Sequence, residues 1–540
     1  MGPGSAALTI YLLPLVAPFG LLLAAAIAGF RPGKRPLLVP MIAEIAAVSA
    51  IAVSLCAVTL VIANGAGVSP VLGFAGAGLS VRLDAVSVTM LLLVSFIGWI
   101  VTRYSRSYLD GEAREGAFHG WLAATLGAVL FLVLSGNLFQ LVVAWLATSL
   151  CLQRLLLFYP ERQAAQRAAR KKALFSTISA IALIAGCILL VYAYNSADIT
   201  TINAAARTAG GSSWIIVLAA MLIAVAALLK SAQFPAHGWL AEVMEAPTPV
   251  SALLHAGVIN AGGFLLIRFA DVMLLAPEVL AVLAMIGGFT ALFGGLVMLT
   301  QPAVKTSLAW STVAQMGFMI LQCGLALFPL ALLHIVAHSL YKAHAFLASG
   351  GAVEQVTAIR RPGPVAAPNA VAVTHAFLAA LAIYAVIGTS FWLVFGSEVK
   401  SPQALALGAI LVLGVAYLLA QGLADAAPSA LTRRASLYAF VAAVSYFALQ
   451  SAAEWLTRGV LPPTPAPGRL EWTLIALAAL SSGAVALAQA LLPHWAHHPA
   501  ALGLRVHISN GLYVNAVIDR LFKGWSVRTA SQSAMRKPTC

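Results

Sequence analysis

Three ionisable side chains recur at four-residue spacing within a long apolar stretch of this sequence: His334, His338 and Lys342. Residues four apart lie on one face of an α-helix, with a drift of about 40° per step. An imidazole can exchange a proton near neutral pH, and a desolvated lysine can lose its charge. A single buried histidine is more often a hydrogen-bonded core group, but three such groups on one stripe favour a proton relay.

The elements that must position these residues are membrane-spanning helices. Hydrophobic side chains make up 61% of the 540 residues and charged ones 9%, whereas roughly 25% of the residues in a soluble domain are charged. The mean hydropathy is +0.95. Because lipid must cover so much apolar surface, the composition excludes a soluble enzyme, a nucleic-acid binder and a disordered scaffold.

Apolar stretches of about twenty residues, the length that crosses a bilayer, recur along the chain. They predict an all-α polytopic membrane protein with about fifteen transmembrane helices. The predicted spans are 7–29, 40–63, 84–102, 119–136, 138–158, 173–195, 214–235, 248–270, 278–299, 305–325, 329–350, 369–396, 403–424, 434–452 and 471–492. The first span is too long, and lacks the basic start, for a cleaved signal peptide.

The net charge of +14 reflects the loops on one side of the membrane. With an odd number of helices, most Lys and Arg residues fall in the loops of one side and in the C-terminal tail. Cytoplasmic loops carry the basic excess. The pattern therefore predicts an external N-terminus and a cytoplasmic C-terminus. The loops at 82–83, 196–213 and 459–470 are expected to be ordinary external loops.

A further candidate site lies around Lys230, five residues before Pro235. Proline breaks a helix, and a broken helix in a membrane survives only where its freed backbone groups face protein or water. A lysine beside the break predicts a hydrated cavity near mid-membrane, and an interfacial loop is the alternative. In the segment that follows, the residues expected at the cytoplasmic mouth of this cavity are His237, Glu242 and Glu245. The next helix carries His255.

Charged side chains within apolar spans are functional candidates, because an unpaired charge near the bilayer centre costs several kcal/mol. The cations in or at the edge of the predicted spans are Arg154, Lys230, Lys305 and Lys342. Lys305 is at the start of a predicted helix. An alternative interpretation is that its aliphatic stem lies in lipid while its ammonium reaches the membrane interface. Glu44 lies in the second predicted helix.

The segments 230–255, 304–318 and 334–347 resemble the proton-conducting antiporter-like subunits of respiratory complex I and of Mrp antiporters. The resemblance implies two inverted five-helix repeats, 119–270 and 278–424, each with a discontinuous helix. They would be flanked by N-terminal helices (1–118), C-terminal helices (434–492) and a basic cytoplasmic tail (493–540). The implied proton path comprises Lys230, His255, Lys305, His334, His338 and Lys342, and an accessory path comprises Glu44, Arg154, His237, Glu242 and Glu245.

Two positions depart from that family. It normally has Trp-Glu in the fifth helix, where the glutamate pairs with the broken-helix lysine, but this chain has Trp145-Leu146. The lysine of a second broken helix is also expected, and the region 388–400, which ends in Lys400, matches the pattern poorly. The sequence does not identify the group that replaces the glutamate.

With these departures and with its segments 341–350, 169–172 and 506–515, the chain resembles the DabB-type membrane subunits of the DAB inorganic carbon transporter. The resemblance implies conduction of a cation, expected to be H⁺. It also implies a soluble, zinc-containing DabA-type partner on the cytoplasmic side that hydrates CO₂ to bicarbonate. A complex I or Mrp-type antiporter subunit is the alternative. The loop 159–172 and the tail after His494 are the expected partner contacts, with the lipid surface as the alternative for the tail.

The chain itself is not expected to be an enzyme or to hold a cofactor or metal. Its cysteines lie in separate apolar spans and at the last residue, so no Cys/His spacing resembles a zinc site. Three histidines after the last span, His494, His497 and His498, are a possible metal cluster. An interfacial basic patch is the favoured interpretation of that cluster. Zinc-dependent hydration is therefore expected in another polypeptide.

Overall fold

A computed structural model of the chain describes residues 8–74, 77–351, 369–395, 400–422 and 429–522. Each predicted apolar span coincides with a helix or a pair of consecutive helices. Twelve helices in the described ranges are long and apolar enough to cross a membrane, and two shorter apolar ones, Trp214–Lys230 and Pro402–Leu413, accompany them. The end of the predicted basic tail, 523–540, lies outside the described residues.

The first half of the chain begins with a 3-10 turn, Ile10–Leu15, that leads into the first α-helix. The helices that follow are α1 (Val16–Gly29), α2 (Val39–Asn64), α3 (Ala85–Tyr108), α4 (Glu115–Leu134), α5 (Leu138–Leu156), α6 (Gln163–Tyr194), α7 (Ile199–Thr208), α8 (Trp214–Lys230), α9 (Gly238–Glu242), α10 (Thr248–Ala256), α11 (Ala261–Arg268) and α12 (Ala270–Leu274). Short 3-10 turns, Val243–Glu245 and Val258–Asn260, precede and follow α10.

The second half contains longer helices and ends in a short helical tail. These helices are α13 (Pro277–Met298), α14 (Val304–Gly324), α15 (Phe328–Leu347), α16 (Ala370–Phe395), α17 (Pro402–Gly422), α18 (Ser429–Thr457), α19 (Arg469–Ala490), α20 (Leu492–Trp495), α21 (Pro499–Ser509) and α22 (Val514–Leu521). Two further 3-10 turns are Ala348–Gly351 and Gly511–Tyr513.

Local sequence explains where several helices begin. Asp84 caps α3 by accepting a hydrogen bond from the Ser87 backbone, and the Ser87 hydroxyl accepts one from the Asp84 backbone, which forms a reciprocal capping pair. Asn137 caps α5 and Ser213 caps α8 in the simpler one-way form. The caps fix the entry points of helices that carry candidate site residues.

The centre of the bundle holds the elements of the candidate site. The segment Thr248–Arg268 is almost wholly buried, whereas few residues of Arg469–Ala490, at the C-terminal end, are buried. Helices α13 and α14 pack closely because small residues face each other, and a Cβ on Gly317 would run into the backbone of Ala291. This close contact positions α14, which carries Lys305.

Four short strands, which the sequence did not predict, lie between α2 and α3. They are β1 (Gly67–Val68), β2 (Leu72–Phe74), β3 (Ala77–Leu79) and β4 (Arg82–Leu83). β1 pairs antiparallel with β4, placing Val68 opposite Arg82, and β2 pairs antiparallel with β3. The expectation of an ordinary external loop at 82–83 is therefore wrong, because β4 is paired and both of its residues are buried.

Arg82 belongs to a buried ion network at the same end of the bundle. The Asp84 carboxylate accepts a hydrogen bond from Arg268 Nη1 at 2.7 Å and forms an ion pair with Arg82 Nε at 2.9 Å. Burial alone would raise the pKa of Asp84, but the charges of the two arginines outweigh it and lower the pKa to about 2. The network ties the start of α3 to the end of α11.

Candidate ion path

The first cluster of the candidate path forms around Lys230, the last residue of α8. Its ammonium donates a hydrogen bond to Ser149 Oγ at 2.7 Å and lies 4.6 Å from the centre of the Trp145 ring. Ser149 and Trp145 are four residues apart on α5, so they share one helix face. All three residues are buried. The predicted discontinuity is also present, because α8 ends at Lys230.

A second lysine joins this cluster from α6. Lys172 Nζ donates to the backbone carbonyl of Ser149 at 2.5 Å and is 3% exposed. The sequence placed this residue in a cytoplasmic contact loop, which is wrong, because α6 begins at Gln163 and carries it inward. In the described residues, no carboxylate contacts the ammonium of Lys230 or Lys172. A proton on one lysine therefore disfavours a proton on the other.

Ser149 provides the acceptor that the missing glutamate provides in the antiporter-like pattern. Leu146, at the glutamate position, is 37% exposed, whereas Trp145 beside it is 1% exposed. Adjacent helix residues point about 100° apart, so Leu146 lies off the face that meets Lys230. The lysine cluster is consequently held by a neutral hydroxyl and a carbonyl instead of by an ion pair.

The second cluster forms where α10, α14 and α15 meet. His255 Nδ1 hydrogen-bonds with Thr312 Oγ1 at 2.9 Å, and its ring stacks on Phe346 with centroids 4.4 Å apart. His338 Nε2 lies 3.1 Å from the carbonyl oxygen of His255, to which it donates. Lys342 Nζ donates to the Leu308 carbonyl at 3.0 Å. The predicted path residues from two sequence segments are thus brought together.

The predicted stripe lies on a single helix, α15. The rings of His334 and His338 are nearly parallel, with centroids 5.9 Å apart. Neither His334 Nε2 nor His338 Nδ1 has a hydrogen-bond partner among the described residues. Lys342 follows one turn further on and is fully buried. These open nitrogens give the stripe unused capacity to bind protons or water.

An interruption between α10 and α11 connects the two clusters. α10 ends at Ala256, and the turn that follows leaves carbonyls which accept hydrogen bonds from side chains. Ser231, next to Lys230 in sequence, donates to the Ile259 carbonyl at 3.2 Å. Asn260 Nδ2 donates to the Ala256 carbonyl at 3.1 Å and to Ser339 Oγ at 2.8 Å. The sequence analysis missed this interruption, although Gly257 and Asn260 are residues that signal one.

A small cavity of about 10 Å³ lies beside this interruption. It is bounded on one side by α3 and on the other by Gly257, Asn260 and Ser339. Asn260 Oδ1 has no hydrogen-bond partner among the described residues. The volume is close to the minimum for one water molecule, and the amide oxygen would accept a hydrogen bond from it.

Lys305 lies at the margin of the second cluster. Its ammonium donates to Thr248 Oγ1 at 2.9 Å, and the Thr248 hydroxyl donates to Tyr108 OH at 3.2 Å. Lys305 is half-buried in the first turn of α14, and Thr248 is the first residue of α10. The side chain therefore reaches the start of the helix that carries His255.

Two of the predicted accessory residues, Glu44 and Arg154, lie outside both clusters. Glu44 pairs with Arg103 at 2.9 Å and with Arg106, near the end of α3. The Arg154 guanidinium lies 5.7 Å from the centre of the Trp121 ring. These contacts place Glu44 and Arg154 apart from both clusters.

The other accessory residues surround the break after α8. His237 is fully buried among the rings of Phe234, Phe293 and Trp310, and burial lowers its pKa to about 4. Ion pairs of this region join Glu242 to Lys171 and Arg167, and Glu245 to Arg162. The break is therefore closed off by an aromatic pocket and by ion pairs to α6.

The C-terminal tail lies across the same region. Asp519 of α22 pairs with Lys171, and a Cβ on Gly238 would run into the Asn515 amide. Gln301 Nε2 donates to the Ser509 carbonyl at 3.1 Å. The expected tail contacts thus include the chain's own broken-helix segment. Trp525, in the same tail, lies outside the described residues.

Lys400, predicted in an external loop, is half-buried between α16 and α18. Its ammonium donates to the Phe447 carbonyl at 3.1 Å and lies 4.6 Å from the centre of the Phe447 ring. Burial lowers its pKa to about 8. The expected second discontinuity falls at this position, and residues 396–399 just before it lie outside the described ranges.

Two family models match the chain. Residues 135–386 match the transmembrane region of the NADH:quinone oxidoreductase/Mrp antiporter family, and residues 73–119 match the N-terminus of complex I chain 5. "Probable inorganic carbon transporter subunit DabB2" of Halothiobacillus neapolitanus is 39% identical over 472 residues, which cover 85% of this chain and 83% of that protein. The chain belongs to the DabB family of inorganic carbon transporter subunits.

Other relatives agree with this family. "Probable inorganic carbon transporter subunit DabB" of Hydrogenovibrio crunogenus is 46% identical over 275 residues, 51% of this chain and 53% of that protein. A structure of the Mrp complex from Dietzia sp. DQ12-45-1b matches with a TM-score of 0.56 at 24% identity, covering 97% of this chain and 58% of that chain. The chain is a multi-pass membrane protein with the antiporter-like fold, and the predicted resemblance is confirmed.

Proposed function

We propose that the chain conducts protons across the bacterial inner membrane and couples their flow to bicarbonate accumulation by a soluble, zinc-containing DabA-type partner on the cytoplasmic side. The N-terminus is then external and the C-terminus cytoplasmic. The single observation that carries the proton path is the pair of buried lysines on Ser149, which have no carboxylate partner among the described residues. Membership of the DabB family supports inorganic carbon as the transported species.

The lysine pair supplies an exchangeable proton. Two desolvated ammonium groups on one serine repel each other, so a proton that reaches one promotes release from the other. Unlike a fixed ion pair, the neutral serine hydroxyl can donate to an amine or accept from an ammonium. The cluster therefore passes charge without first breaking a salt bridge.

The interrupted turn carries the proton between the clusters. Ser231 donates to the Ile259 carbonyl and Asn260 donates to the Ala256 carbonyl, and the adjacent cavity admits one water molecule. His338 contacts the carbonyl of His255 on the same turn. Along α15, successive relay groups are separated by about 6 Å of helix rise, so water completes the transfer from His338 to Lys342.

The carbon chemistry takes place in the partner. Hydration of CO₂ to bicarbonate releases a proton, and zinc supplies the activated water for that step in zinc hydratases. A proton conductor coupled to this reaction determines its net direction. The chain acts in such a complex as the membrane subunit that supplies energy and is not itself the enzyme.

Bicarbonate accumulation in cells that depend on the chain tests this function. We expect Lys230→Ala to abolish accumulation while membrane abundance persists, because the lysine faces a polar cluster. Lys230→Arg fails as well, because a guanidinium keeps its proton. The matched control is Lys34→Ala at an exposed lysine in the loop after α1. Normal accumulation in Lys230→Ala would overturn the proposal.

A complex I or Mrp-type antiporter subunit is the second candidate, favoured by the fold match to the Mrp complex. Both candidates conduct protons, so the partner separates the two. A soluble zinc protein that co-purifies with the chain would support the first candidate, and quinone-oxidoreductase or antiporter subunits would support the second. The coupling ion is tested separately. A protonophore should collapse accumulation while cellular ATP is held constant. Accumulation that survives the protonophore but stops without sodium would indicate Na⁺ instead of H⁺ along the same path.

A further inference from the structure

An open groove of about 700 Å³ lies at the end of α3, apart from the candidate ion path. Its lining combines two arginines and two hydroxyl groups with two apolar side chains. These residues are Ile100, Arg103, Tyr104, Arg106, Ser107 and Leu347. The groove is on the side of the membrane predicted to be cytoplasmic, where α3 ends and α2 begins.

The charges in this groove do not balance. Glu44 of α2 accepts hydrogen bonds from both Arg103 and Arg106, so one carboxylate faces two guanidinium groups. The arginine side chains are 65% and 45% exposed, whereas that of Glu44 is 12% exposed. Each guanidinium has five N–H donors, and Glu44 occupies only part of this capacity. One positive charge and several donors therefore face the groove.

Apolar surface continues from the groove toward the membrane interior. On α3, Phe96 is 40% exposed and lies about 10 Å along the helix from Arg103, on the bilayer side. On α2, Ile45 and Val48 are 60% and 47% exposed. A ligand with an anionic head and an apolar chain matches this order of groups, whereas a free anion would leave the apolar surface unused.

We propose that this groove binds the headgroup of an anionic phospholipid, with an acyl chain along the exposed faces of α2 and α3. The arginines bind the phosphate oxygens in the charge-assisted manner of guanidinium groups. The Tyr104 hydroxyl can donate a further hydrogen bond to it, whereas the Ser107 hydroxyl donates to the Tyr104 carbonyl at 3.2 Å. Basic pockets between helix ends on the cytoplasmic side suit such headgroups.

Lipid binding to the purified full-length chain in mild detergent tests the site. The probes are cardiolipin, phosphatidylcholine and inorganic phosphate, and the readout is bound lipid by native mass spectrometry. We expect cardiolipin to bind more tightly than phosphatidylcholine. Each arginine near a headgroup raises the affinity roughly fivefold. Removing both in Arg103→Gln/Arg106→Gln should therefore weaken cardiolipin binding about 25-fold.

Two variants keep this test decisive. Arg433→Gln/Arg434→Gln removes the same charge from exposed arginines at the start of α18 and should retain cardiolipin binding. Glu44→Gln frees the arginines from their carboxylate and should bind cardiolipin more tightly than the wild type. Equal loss in both arginine variants, weaker binding in Glu44→Gln, or full competition by millimolar inorganic phosphate would overturn the lipid site.

Discussion

Replacing Ser149 with alanine removes the hydroxyl that holds the Lys230 ammonium and leaves the backbone carbonyl that holds Lys172. A hydrogen bond to a charged group contributes about 1.5–3 kcal/mol of stabilisation, which is lost when the charged partner is left without its acceptor. If each transport cycle requires a protonated Lys230 at this position, the same energy is added to the barrier. We therefore expect proton flux to fall about tenfold to a hundredfold.

The assay is dye-monitored proton flux into liposomes that contain the purified chain with its co-purifying subunits, normalised to the amount of chain incorporated. Ser149→Thr keeps a hydroxyl on the same helix face and should retain most of the flux. Leu146→Glu combined with Ser149→Ala should stay slow, because position 146 lies off the face that meets Lys230. Wild-type flux in Ser149→Ala, or rescue by Leu146→Glu, would refute the role assigned to Ser149.

Two further variants test the second cluster and the buried network around Asp84. His338→Gln can still donate to a backbone carbonyl but cannot take up a proton, so flux should fall about a hundredfold at unchanged membrane abundance; unimpaired flux would exclude a protonation step there. Asp84→Asn leaves two buried arginines without their carboxylate and should cost about 3–5 kcal/mol of stability, measured by thermal unfolding in detergent. Because the pKa of Asp84 is lowered from 3.8 to about 2, the wild-type contribution is full above pH 3.8 and disappears as the pH falls through about 2. Asp110→Asn, in an exposed ion pair, should change stability by less than about 1 kcal/mol, and equal losses in the two variants would contradict the network's role.

The helices were predictable because each needs about twenty apolar residues, a pattern that the sequence states directly. The stripe on α15 was predictable for a similar reason, since a spacing of four residues fixes a shared helix face. The roles of the path residues remain predictions, although the structure brings His255 and His338 into contact. Local periodicity was sufficient for these features.

The acceptor for Lys230 could not be predicted, because it depends on the rotation of α5 in the bundle. Many serines lie in apolar spans, and nothing local distinguishes Ser149. Lys172 was misplaced because it follows Arg170 and Lys171, and a basic run is typical of a cytoplasmic loop. Only the packing of α6 against α8 shows that this run enters the interior.

The buried network around Asp84 was missed for another reason. Asp84 and Arg268 are separated by 184 positions in sequence, and each looks like an ordinary residue at a helix end. Long-range pairs leave no periodic signal. The short strands between α2 and α3 are likewise too brief to leave one.

The tail contacts also have a consequence for biogenesis. The hydrogen bond from Gln301 to the Ser509 carbonyl joins residues 208 positions apart, and Asp519 reaches still further back to Lys171. Contacts of such high contact order form late. During synthesis, the helices before α21 enter the membrane while the broken-helix segment still lacks its C-terminal cover. The region around Gly238 therefore acquires its tail contacts only after α21 and α22 have been synthesised.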